Sequence, residues 1–121
     1  MFEPSPINSQ IYNMKFAILA AATMVSVASA GHATYYEPNG HAGHCGSGID
    51  TNSWAVALPN HAYRDGLCGK GINVRHNGKT LRGYIADSCD GCAPGDIDLA
   101  RGLFTQFADT SVGVIDVDWW Y

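Results

Sequence analysis

The clearest pattern in the chain lies around Asn77-Gly78, where polar and apolar positions alternate on both sides of a tight turn. Asn-Gly between alternating runs is the strongest short-range hairpin signal, because both residues accept the positive φ that a two-residue turn demands. A two-residue turn fixes the register: Val74 faces Leu81 and Ile72 faces Gly83. Period-two counting then carries the core-facing parity through Ile85 to Asp87, at the rim end of the second strand. A carboxylate there is partly desolvated and needs a partner. Strand formers also fill residues 32–36 and 54–58, the second run being stopped by Pro59. Residues 113–121 place Ile115, Val117, Trp119 and Tyr121 on one face and Asp116, Asp118 and Trp120 on the other, so Trp119 reads as core. The period changes once: Leu99, Leu103 and Phe107 recur every fourth residue, which predicts a helix over residues 99–108. Residues 37–50, with Pro38, Gly40, Gly43, Gly46 and Gly48, read as a loop, and residues 61–66 as a polar turn or one helical turn. Many short strands and little helix predict a small, mostly β barrel. Neither internal repeats nor low-complexity segments interrupt it.

Composition narrows the setting. Met14-Lys15-Phe16 opens a short basic and then apolar run to Ala28, and Ala28-Ser29-Ala30 supplies the small residues of a cleavage site. The run is too short to span a bilayer. Residues 14–30 therefore read as a signal peptide, residues 1–13 as a non-native or unstructured leader (Met14 being the better start), and residues 31–121 as the folded domain. That part has 91 residues, with six Lys/Arg against ten Asp/Glu. A mildly acidic domain lacks the basic face that a nucleic-acid partner requires. All four cysteines, Cys45, Cys68, Cys89 and Cys92, fall within it. An even count in a small secreted chain reads as a disulfide framework, although three pairings are possible. No Asn-x-Ser/Thr sequon is present.

Candidate chemistry concentrates in residues 86–104, where Asp87, Asp90, Asp96 and Asp98 surround Cys89 and Cys92 in a Gly/Pro-rich loop. Asp98 directly precedes the helical pattern, so it is either a site carboxylate or a helix N-cap. Asp87 is a site carboxylate or a rim group bonded to loop amides. Asp90 and Asp96 read as solvated turn residues. His41-x-x-His44-Cys45 with Cys89-x-x-Cys92 could be drawn as a zinc site, but thiols in an oxidising compartment pair with one another, so no metal or cofactor is expected.

Several ordered segments resemble the double-psi β-barrel of expansins, barwin-like proteins and bacterial rare-lipoprotein-A-like domains, and most nearly the single-domain fungal expansin-like group that includes the loosenins. They are Ala33-Thr34-Tyr35-Tyr36, Cys45-Gly46, Cys68-Gly69-Lys70, Asp87-Ser88-Cys89-Asp90-Gly91-Cys92, Gly95-Asp96-Ile97-Asp98-Leu99 and Gly113 to Trp119. The resemblance implies a six-stranded, disulfide-stabilised double-psi β-barrel with one or two short helices, and the pairings Cys45–Cys68 and Cys89–Cys92. It implies that Asp98 and Asp87 line a polysaccharide groove; in related endoglucanases the residue matching Asp98 is a general acid. Ala100 stands where the family pattern has a serine, which favours the cap reading of Asp98. Glu37 occupies the place of the second, base carboxylate that an inverting hydrolase needs, and reads more simply as an exposed loop residue. Thr34, with Tyr35, Tyr36, Trp54 and Trp120 as candidate stacking surfaces, completes the expected substrate contacts.

These expectations converge on a secreted, extracellular, monomeric protein that binds cell-wall polysaccharide (cellulose, chitin or a related glycan) and loosens non-covalent glycan contacts without significant hydrolysis. Neither a membrane nor a nucleic-acid partner is expected. With Tyr121 as the last residue, the second, carbohydrate-binding domain of full expansins is expected to be absent and binding is expected to be weak. A different class of function is available on this fold: a secreted cysteine-protease inhibitor or host-interacting effector, working through residues 37–50 or 67–71. A weak glycanase or lytic transglycosylase ranks third.

Overall fold

The computed structural model describes residues 28–121; the expected leader and most of the signal peptide lie outside them. Six strands form one closed barrel in the order β1-β5-β2-β4-β3-β6. They are β1 (Ser29–Tyr36), β2 (Ala55–Pro59), β3 (Gly71–His76), β4 (Lys79–Cys89), β5 (Ile97–Ala100) and β6 (Ile115–Trp120). Among the described residues, helix is confined to α1 (Arg101–Phe104) and single 3₁₀ turns at Asp65–Leu67 and Thr110–Val112. The mostly β, six-stranded barrel expected from the sequence is the fold.

The β3–β4 hairpin has the predicted register, Val74 against Leu81 and Ile72 against Gly83. Asn77 (φ 49°) and Gly78 (φ 80°) adopt the left-handed conformations the turn requires. Inside the barrel Val56, Leu58, Ile72, Val74, Ile85, Ile97, Leu99, Leu103, Phe104 and Trp119 form one core. Trp119 is buried as expected, its indole donating to the Gly95 carbonyl at 2.8 Å. A second, smaller apolar cluster of Ile49, Ala55, Ala86 and Ala100 lies on the opposite side of the strands, where the loop carrying Ile49 covers β2, β4 and β5.

Two local expectations are corrected. The helix predicted over residues 99–108 begins two residues late and is short: Leu99 and Ala100 belong to β5, and only residues 101–104 are helical. Leu99 pairs with Tyr35 of β1 on one side and Val56 of β2 on the other, and this two-sided pairing overrides the local helical spacing. The second correction concerns Asp87. The β2–β4 register passes from Val56–Ile85 to Ala57–Asp87, so Ala86 is an inserted, bulged residue. The bulge turns Asp87 from the core parity of Ile85 to the outer face. Cys45 pairs with Cys68, and Cys89 with Cys92.

Candidate functional site

Barrel pairing lines up four positions on adjacent strands. Thr34 of β1 pairs with Asp98 of β5, Asp98 with Ala57 of β2, and Ala57 with Asp87 of β4. Directly paired residues point to the same face of a sheet, so Thr34, Asp98, Ala57 and Asp87 form one row across the outside of the barrel. With strands about 4.8 Å apart the row is about 14 Å long. Ala57 stands between the two carboxylates, and its methyl group leaves them open to each other.

Asp98 is a mid-strand residue and not a helix cap; the residue preceding α1 is Ala100, which makes no side-chain cap bond. Asp98 accepts a hydrogen bond from the Thr34 hydroxyl at 3.1 Å. Burial pushes its carboxyl from the usual 3.8 up to about 6, offset in part by bonds from Thr34 and the Leu99 amide, and helped by the charge of Asp87. Below pH about 6 it is a protonated acid that can donate a hydrogen bond.

Asp87 is held differently. Its Oδ1 accepts the backbone amides of His44 at 2.7 Å and of Ser88 at 2.9 Å, and its Oδ2 is 3.5 Å from the Tyr36 hydroxyl. Gly43 makes this possible: a Cβ there would lie 2.5 Å from the Ala86 carbonyl and 2.9 Å from the Asp87 carboxyl carbon, so only glycine brings the loop this close. Burial, with the nearby Asp87 and Asp98 carboxylates, raises the Tyr36 pKa, which keeps this hydroxyl a donor.

Of the other candidates, Tyr36 joins the row, since its β1 parity is that of Thr34. Tyr35 points the other way and packs on Phe104 with ring centroids 5.1 Å apart. Trp54 is partly buried against the main core. Trp120 pairs with Asn73 on the β3–β6 wall, beneath the Arg75 guanidinium at 5.2 Å, and not beside the carboxylates. Glu37 is ion-paired with Arg101 at 2.9 Å. Asp90 accepts from Asn60 and Asp96 from the His32 amide, both shaping loops as expected. His44, which the sequence offers only as a possible zinc ligand, instead stacks on Tyr63 (centroids 4.3 Å, planes 15° apart) at the Asp87 end of the row. No local signal marks it, because Tyr63 comes from the loop after β2.

No family model matches the chain. Among curated proteins it is 39% identical over 97 residues to an allergen of Aspergillus fumigatus, of which it covers 35%. It is 31% identical over 128 residues to the papain inhibitor of Streptomyces mobaraensis, with 86% of this chain and 87% of that protein covered. The chain thus spans about a third of the allergen but nearly all of the inhibitor. Among solved structures, the Streptomyces papain inhibitor superposes with a TM-score of 0.71 at 31% identity, covering 79% of this chain and 94% of that one. An aspartate-to-asparagine mutant of Clavibacter michiganensis expansin in complex with cellohexaose superposes with a TM-score of 0.70 at 25% identity, covering 78% of this chain and half of that one. A barrel shared with both, and sequence similarity extending over nearly the whole inhibitor, show that the chain belongs to the family of the Streptomyces papain inhibitor, on the double-psi β-barrel fold that expansins also use.

Proposed function

We propose that this protein is secreted and binds cell-wall polysaccharide in an expansin-like manner along the Thr34–Asp98–Ala57–Asp87 row, loosening glycan contacts without significant hydrolysis. The observation that carries the reading is the row itself. It offers two acidic groups and two hydroxyls, Thr34 and Tyr36, on one outer face, a set suited to sugar hydroxyls. The expansin with cellohexaose supports it through the shared fold. Little hydrolysis is expected because neither other candidate carboxylate is held as a free base over a water site. Glu37 is ion-paired with Arg101, and Asp87 is fixed through Oδ1 by the His44 and Ser88 amides, with Oδ2 left to accept a sugar hydroxyl. The test is sedimentation with insoluble cellulose, chitin and isolated cell wall, run beside a reducing-sugar assay. Retention of the wild type on at least one of these, reduced several-fold by Asp98→Asn and without sugar release, is the expected result. Absence of retention on all three, or retention indifferent to Asp98→Asn, defeats the reading.

A second reading, inhibition of a papain-type cysteine protease, is favoured by the 87% coverage of the Streptomyces inhibitor. It places function on exposed loops, residues 37–50 and 67–71 foremost. Tight inhibition of papain that survives Asp98→Asn supports it; papain activity unaffected by micromolar protein removes it.

A further inference from the structure

The row of side chains does not stop at Asp87. His44 follows it, anchored because its backbone amide donates to Asp87 Oδ1 at 2.7 Å. The adjacent Cys45 amide is tied to the Ala86 carbonyl at 3.3 Å, so residues 43–45 run along β4. The imidazole lies flat on Tyr63, with Nδ1 2.9 Å from Ser88 Oγ, and is otherwise exposed. Its Nε2 has no hydrogen-bond partner among the described residues. Tyr63 is fixed in turn: its hydroxyl donates to Asp65 at 3.0 Å and sits 3.3 Å and 3.7 Å from the sulfurs of Cys68 and Cys45. Two stacked rings held from both sides, with one ring nitrogen uncommitted, make a rigid flat surface beside a hydrogen-bonding group. Such surfaces take the apolar face of a pyranose while the polar edge meets its hydroxyls. A Ser88–His44 nucleophile pair is a poorer account, because the nearby His44 and Ser88 amides that could stabilise an oxyanion are both spent on Asp87.

We infer that the His44–Tyr63 stack, with Ser88, is a subsite for an additional sugar unit of a neutral β-linked glycan, extending the row beyond Asp87. The inference rests on the glycan-binding reading above. Because the subsite lies at one end, only chains long enough to reach it should use it.

Titration calorimetry with cellohexaose, chitohexaose and the matching disaccharides tests this. His44→Ala should weaken binding of the preferred hexasaccharide by about tenfold, the size of one good ring contact, leave disaccharide binding unchanged, and retain a cooperative thermal transition. His44→Trp should restore hexasaccharide binding. Equal hexasaccharide affinity in wild type and His44→Ala, or an equal loss at both lengths, overturns the subsite while the glycan reading stands. Wild type that binds neither hexasaccharide, together with failure of the sedimentation test, overturns both.

Discussion

Asp98 stands in the middle of a strand with its carboxyl raised to about 6 by burial. A carboxyl raised on folding binds protons more tightly in the native state, so it weakens stability as pH climbs from about 4 through about 6, and adds nothing further above that. The shift sets an upper bound of roughly 3 kcal/mol on this loss. Asparagine keeps an acceptor for Thr34 and cannot ionise. Urea unfolding of Asp98→Asn should therefore show higher stability than wild type at pH 7, by about 1–3 kcal/mol, and equal or lower stability at pH 4. Equal pH slopes in the two proteins between pH 4 and 6 would exclude this role for burial. Asp98 was legible in the sequence as a candidate, but its setting was not. The helical spacing of Leu99, Leu103 and Phe107 is a local property, whereas the pairing of Leu99 with Tyr35 and Val56 joins segments 64 and 43 residues away in the chain.

At the scale of elements, the two disulfides close loops of very different size. Cys45 and Cys68 are 23 residues apart, Cys89 and Cys92 only 3. Chain entropy assigns about 3.4 kcal/mol to the first closure and about 1.6 kcal/mol to the second. The first also holds Tyr63 beneath His44. Replacing Cys45 and Cys68 by serine should lower the urea midpoint more than replacing Cys89 and Cys92, and should also abolish the length-dependent glycan contact at His44. If the Cys89/Cys92 variant is the less stable, the acidic loop contributes more than loop closure explains. The hairpin was readable because its turn chemistry and its alternation agree within a dozen residues. The bulge at Ala86 was not, since counting by twos from Asn77-Gly78 cannot register an inserted residue that only pairing with β2 reveals.

For the whole molecule, closure of the barrel places the two ends of the domain side by side, β1 against β6. Processing after Ala30, the site expected from Ala28-Ser29-Ala30, removes the pairs of Ser29 with Trp119 and Ala30 with Asp118 and leaves those from Gly31 onward. Intact-mass measurement of secreted protein should give a chain starting at Gly31. A start upstream of Ser29 would mean that the full length of β1 is retained. Gly31 tolerates no side chain, because a Cβ there would run into the Gly95 carbonyl, and the next residue ties the new terminus to the loop before β5, the His32 amide donating to Asp96 Oδ1 at 2.9 Å.

The sequence by itself determined the elements whose causes are local: the hairpin register, the β-rich composition of the barrel, the cysteine framework, the buried face of β6 and the pool of acidic candidates. The family resemblance pointed to Asp98 and Asp87 as a pair, but only the tertiary structure decided how they come to share a face. That depends on β5 lying between β1 and β2, and on one bulged alanine that rotates Asp87 outward. It also brought His44 and Tyr63 together from separate loops. Strand order and inter-loop stacking are contacts between distant segments, and no spacing within either segment records them.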